Sequence, residues 1–177
     1  MDNQLPRLGY RGRSVHKPMR KAPALDAFLT RINELGGSID SWVYTNSDRP
    51  TLTLAATHDS VGPLAVDDNG DELTVEIGTK QHTHFSGYSF DSDSDQSRLL
   101  AAAKDAAAFV YDVTMDRVCF TVDYLHERCI GSSHFYLDNE NTTADTVRDT
   151  CIGLRGGNIR SERYLWSGPV REHRTEP

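Results

Sequence analysis

Long apolar runs are missing from this chain: no hydrophobic stretch approaches the roughly 18 residues a membrane-spanning helix needs. The basic residues near the start are not followed by the apolar segment of a secretory signal, so no leader is expected. Cysteine is scarce. The three present, Cys119, Cys129 and Cys151, are odd in number, widely spaced and never in a Cys-x-x-Cys pair, which argues against a disulfide framework. These absences predict a reducing, cytoplasmic setting, in which the sequon Asn141-Thr142-Thr143 is incidental. Phosphate-binding glycine loops are also lacking, and Gly153-Leu154-Arg155-Gly156-Gly157-Asn158 has no strand-to-helix context, so it reads as a turn. With no Gly-x-Ser-x-Gly elbow and no cysteine-enzyme signature, the cysteines and Ser132-Ser133-His134 read as core or loop residues.

Basic charge is rare where acid is abundant. Residues 59–95 hold nine acids (Asp59, Asp67, Asp68, Asp71, Glu72, Glu76, Asp91, Asp93 and Asp95) against Lys80 alone, a net −8. Residues 1–21 are the opposite: Arg7, Arg11, Arg13, Lys17, Arg20 and Lys21 against Asp2, a net +5. Such asymmetry bears on partners rather than on fold. An acidic body repels nucleic acid and a membrane surface and attracts basic proteins, so nucleic acid is not the expected partner.

The remaining composition, 37% hydrophobic and 25% charged over 177 residues, fits one domain with one core. Residues 1–22 lack periodicity and read as a basic arm, and 23–177 as a single domain. Pro23 suits a first helical turn, Leu25, Phe28, Leu29, Ile32 and Leu35 recur at helical spacing, and Gly36-Gly37 ends the run. Strands are expected over Ser38–Thr45, Thr51–Ala56, Leu64–Val66, Leu73–Ile77 and Gln81–Phe90, with Asn69-Gly70 as a hairpin cue. Asp93, Ser94 and Asp95 offer caps for a second helix, whose stripe is Leu99, Ala103, Ala106, Val110 and Val113. Val118–Tyr124, Cys129–Leu137 and Asn158–Trp166 read as further strands, the last two separated by the polar stretch Asp138–Thr150. This order predicts an α+β fold: a mostly antiparallel sheet with two main helices on one face.

Two patterns bear on metals. In a strand, His82 and His84 fall on one face, and His58 or Asp59 is the candidate third ligand for an ion that needs three or four. Asp67-x-Asn69-x-Asp71 and Asp91-x-Asp93-x-Asp95 begin like calcium loops. Both lack the glycine at the sixth place and the acid at the twelfth, so they read as a turn and a helix cap.

The stretch Val61-Gly62-Pro63-Leu64-Ala65-Val66-Asp67-Asp68-Asn69-Gly70-Asp71-Glu72-Leu73-Thr74-Val75-Glu76-Ile77-Gly78, followed by His82-Thr83-His84-Phe85 and closed by Tyr164-Leu165-Trp166-Ser167-Gly168-Pro169, resembles small bacterial immunity proteins encoded beside polymorphic toxins. The resemblance implies a cytoplasmic protein that binds and blocks a cognate toxin, often a basic nuclease; it assigns no residue a role. The expected function is therefore that of a non-enzymatic acidic binder with no cofactor. Its partner surface is Asp59, Asp67, Asp68, Asp71, Glu72 and Glu76, with Tyr88 and Phe90 as aromatic anchors. The alternatives are a metal-dependent protein centred on His58, His82 and His84, and a protein that assembles with itself.

Overall fold

Proline at position 23 opens the first helix, α1 (Pro23–Glu34), where its missing N–H is no loss. Leu25, Phe28 and Ile32 form its buried stripe. Its end is a glycine stop: Gly36, at φ +88°, lets the Gly37 N–H reach the Ile32 carbonyl at 2.9 Å and the Gly36 N–H that of Asn33 at 3.0 Å. The structure, a computed structural model, describes residues 22–89, 94–137 and 159–170. Residues 1–21 of the basic arm, Phe90, Asp91, Asp93, the stretch Asp138–Thr150, Cys151 and the Gly153–Asn158 turn lie outside the described residues.

Five short strands follow: β1 (Trp42–Thr45), β2 (Thr51–Leu54), β3 (Leu64–Asp68), β4 (Glu72–Ile77) and β5 (Gln81–Ser86). Each pairs antiparallel with the next, giving a meander in chain order. Side-chain alternation fixes its two faces. Leu52 pairs with Val66, Leu64 with Ile77, and Val66 with Val75, so one face is apolar and buried. Thr51 opposite Asp67, Thr74 opposite His84 and Glu76 opposite His82 form the other face. The Asn69-Gly70 turn is present, but only Gly70 takes positive φ, +96°. Asn69 instead spends its amide on Thr74, 2.8 Å away.

The second helix, α2 (Asp95–Thr114), is capped by Ser94, whose Oγ accepts from the Ser97 N–H at 3.2 Å. Its buried face is wider than a single stripe: Ala102, Ala107 and Phe109 join Ala103, Ala106, Val110 and Val113, while Leu99 is half-buried. The reason is that α2 has several neighbours, namely α1, the first sheet and β6 (Val118–Leu125), the first strand of a second sheet. Alanines permit this close approach. Asp116, at φ 56°, ends the helix where glycine is usual, and its Oδ1 accepts from the Ser167 N–H at 2.9 Å.

The second sheet adds β7 (Arg128–Tyr136), β8 (Ile159–Leu165) and β9 (Gly168–Pro169) in the order β7-β6-β8-β9, again antiparallel. Val118, Phe120 and Val122 face the helices, and one buried cluster joins them to α1, α2, the first sheet, Tyr164 and Trp166. Rings tie the layers together: Phe28 meets Trp42 edge-on at 5.3 Å, and Phe109 lies 5.6 Å from Phe85 and 5.0 Å from His134. Burying each side chain of this size is worth about 1.5–3 kcal/mol. The fold is α+β with antiparallel pairing and two helices on the apolar face of the first sheet, its strands divided between two sheets. Among the described residues no helix is long and apolar enough to cross a membrane.

Candidate functional site

The polar face of the first sheet carries the candidate site, because the helices occupy the opposite face. In an antiparallel meander the first and third turns share an edge. Here they come together: the Asp68 N–H donates to the Pro50 carbonyl at 2.9 Å. Between them and the polar face runs a groove of about 880 Å³ whose lining includes Ala22, Asp48, Arg49, Asp68, Asn69, Glu72, Thr74, Glu76, His82 and His84. Arg49 is the one Arg or Lys among the described residues of that lining. Asp48 and Arg49 were not anticipated from the sequence. The signal available for them was topological: the β1–β2 turn of a meander falls beside the β3–β4 turn.

A chain of hydrogen bonds runs across the strands. Thr51 Oγ1 donates to Asp67 Oδ1 at 2.6 Å. His84 Nδ1 lies 3.0 Å from Glu72 Oε1 and 3.2 Å from Thr74 Oγ1. An ionised carboxylate only accepts, so a hydrogen bond between this pair is one that His84 Nδ1 donates to Glu72. The His82 and His84 rings meet edge-on at 5.4 Å.

The anticipated surface acids divide. Asp59, Asp71 and Glu76 are exposed, and Asp68 and Glu72 are half-buried. Asp67 departs from the expectation of an exposed partner residue: it is 8% exposed and paired with Thr51. Its strand position points it to the polar face, but that face is crowded by its neighbours there. Tyr88 is 78% exposed. It borders a second groove of about 460 Å³ with Pro23, Asp71 and Leu99, and Gly70 lines both grooves. Phe90 lies outside the described residues.

The three-histidine metal centre does not assemble. His82 and His84 share a face, but His58 is held in the β2–β3 loop, its Nδ1 2.8 Å from Ser60 Oγ, with its ring against Gly168 of β9. That loop is fixed by a glycine crossing: a Cβ on Gly78 would lie 1.9 Å from the Val61 carbonyl oxygen. Among the described residues no group of three or more His, Cys, Asp or Glu comes together to hold a metal.

Other nucleophile candidates are dispersed. Ser133 and His134 lie on opposite faces of β7, and burial against Phe109 lowers the His134 pKa. Burial pushes the Cys119 thiol up to about 11, an inert thiol at neutral pH. Cys129 is exposed, its Sγ 3.7 Å from the Gly131 carbonyl.

Lys80 was anticipated only as the lone base of the acidic segment. It sits in the β4–β5 turn, its Nζ 3.2 Å from Tyr164 Oη and 4.5 Å above that ring, and the Tyr164 hydroxyl donates to Glu162. Partial burial works against the Lys80 charge, but the tyrosine partners outweigh it and its pKa is raised. The one base of residues 59–95 is therefore engaged with the second sheet and does not line the acidic groove. Compared with protein-family models, curated proteins and solved structures, the chain matches none.

Proposed function

We propose that this chain is a non-enzymatic acidic binding protein whose partner is a basic protein, docked on the polar face of its first sheet. A toxin domain is the partner that the resemblance to bacterial immunity proteins implies, and neutralising it in the cytoplasm is the corresponding role. The observation carrying the reading is the groove itself. Asp48, Asp68, Glu72 and Glu76 converge on one cleft with Arg49 as the only Arg or Lys among the described residues lining it, while Lys80 is drawn away to Tyr164. Such a concave negative surface focuses the field, speeds encounter with a basic protein and disfavours acidic ones. Tyr88, exposed beside the adjoining groove, supplies the kind of aromatic anchor that charge alone lacks.

The test uses acids that are exposed, leaving buried Asp67 untouched. A partner isolated from the native host is titrated against the wild type and against the triple variant Asp48→Lys, Asp71→Lys, Glu76→Lys. The expected result is an association rate about ten-fold or more lower at low salt, with a flatter dependence on ionic strength. An unchanged rate and an unchanged salt slope would make this face ordinary solvated surface.

A further inference from the structure

We propose that the basic segment 1–21 of this chain docks in cis on the polar face of the first sheet, so that the acidic groove is occupied by the chain's own arm until a partner displaces it. The first described residue, Ala22, lines the acidic groove, and the next, Pro23, lines the adjoining one. Ala22 is also anchored, 8% exposed and part of the core, so the described chain begins where the two grooves adjoin. The segment before it is net +5, and its last five residues include Lys17, Arg20 and Lys21.

Reach is sufficient. Crossing five strands takes about 19 Å at the usual ~4.8 Å between strands, which about six extended residues cover. The six residues 16–21, which include Lys17, Arg20 and Lys21, are therefore long enough to span that face. Tethering makes the encounter intramolecular, at an effective concentration on the order of millimolar. The arm stands where an incoming basic surface would dock, so it selects for partners that out-compete it. That consequence rests on the function proposed above, whereas the docking itself does not.

The experiment is zero-length carbodiimide cross-linking of the full chain, mapped by mass spectrometry, with equal parts of light and ¹⁵N-labelled protein mixed beforehand. An Arg11→Lys variant keeps the charge and adds a second amine reporter. The expected result is light–light and heavy–heavy links to Asp48, Asp68, Glu72 or Glu76, both from Lys17 and from the amine that the variant introduces at position 11. Their yield should fall about three-fold or more in 0.5 M salt, where screening is strong, and in a Glu76→Gln, Asp48→Asn double variant. Links distributed over acids elsewhere, links insensitive to salt, or no links beyond Lys21 would overturn the proposal. Mixed light–heavy links would overturn it too, by showing that the arm engages a second copy. No partner is needed, so failure here is distinct from failure of the binding reading.

Discussion

Replacing Asp67 with alanine separates a carboxylate that builds the sheet from those that decorate it. Asp67 is 8% exposed, and its Oδ1 accepts from Thr51 Oγ1 at 2.6 Å across the β2–β3 pair. A hydrogen bond to a charged group contributes about 1.5–3 kcal/mol. Thr51 has a fallback, because its hydroxyl also lies 3.1 Å from the Arg49 carbonyl and can donate there once Asp67 is gone. The expected loss is therefore at the low end, about 1.5–2 kcal/mol. Asp67→Asn keeps an acceptor oxygen and should lose about 1 kcal/mol or less. Asp71→Ala, on an exposed turn residue, should stay within about 0.5 kcal/mol of wild type. Urea unfolding measures all three, and a double-mutant cycle with Thr51→Val should return a coupling of about 1 kcal/mol or more. If Asp67→Ala and Asp71→Ala were equally mild, or the coupling vanished, Asp67 would be one more surface acid and the division of the acids would fail.

Two further outcomes follow from positions outside the groove. Gly78→Ala should lower unfolding stability by about 2 kcal/mol or more, since Gly78 has φ +51° and its Cβ would meet the Val61 carbonyl oxygen at 1.9 Å. Gly70→Ala, with positive φ but nothing within 4 Å, should cost about 1–2 kcal/mol, and a Gly78→Ala effect no larger than this would contradict the crossing of the two loops. His134, whose pKa burial lowers from 6.5, gives a signed pH effect. Above pH 6.5 it is largely neutral in both states; below that, the unfolded chain takes up a proton more readily than the fold does, so stability falls as pH drops toward the folded pKa. His134→Phe preserves the ring stack on Phe109, and the gap in unfolding free energy between variant and wild type should be flat above pH 6.5 and move in the variant's favour below it. A gap constant down to about pH 5 would refute the burial argument.

Local patterns carried most of the fold. Leu73, Val75 and Ile77 alternate as a half-buried strand should, the α1 stripe is buried, and the turn at Asn69-Gly70 joins β3 to β4. The division into two sheets was not legible, because it depends on β8 returning to pair with β6 from far along the chain, and no local period encodes that. The same distance effect sets the burial of β6: Val118, Phe120 and Val122 alternate with Cys119 and Thr121, yet all five are buried.

The site was legible to the same depth. Strand parity correctly placed His82 and His84 on one face, since a period of two survives any tertiary arrangement; that Glu72 and Glu76 share this face follows from the β4–β5 register, which parity within one strand does not encode. It did not locate His58, whose loop is positioned by the Gly62–Gly78 crossing and the ring contact with Gly168. Counting charge along the sequence also misassigns weight. Of the acids between positions 59 and 95, Asp67 is spent inside the sheet and Glu72 is tied to His84, while Asp48, outside that window, lines the groove. What brings Asp48 in is that the turns of a meander alternate between its two edges, which places the β1–β2 turn beside the β3–β4 turn. The acids that line this groove are thus gathered by the sheet rather than by one sequence segment, and Asp48 is among them although the sequence places it among loop residues.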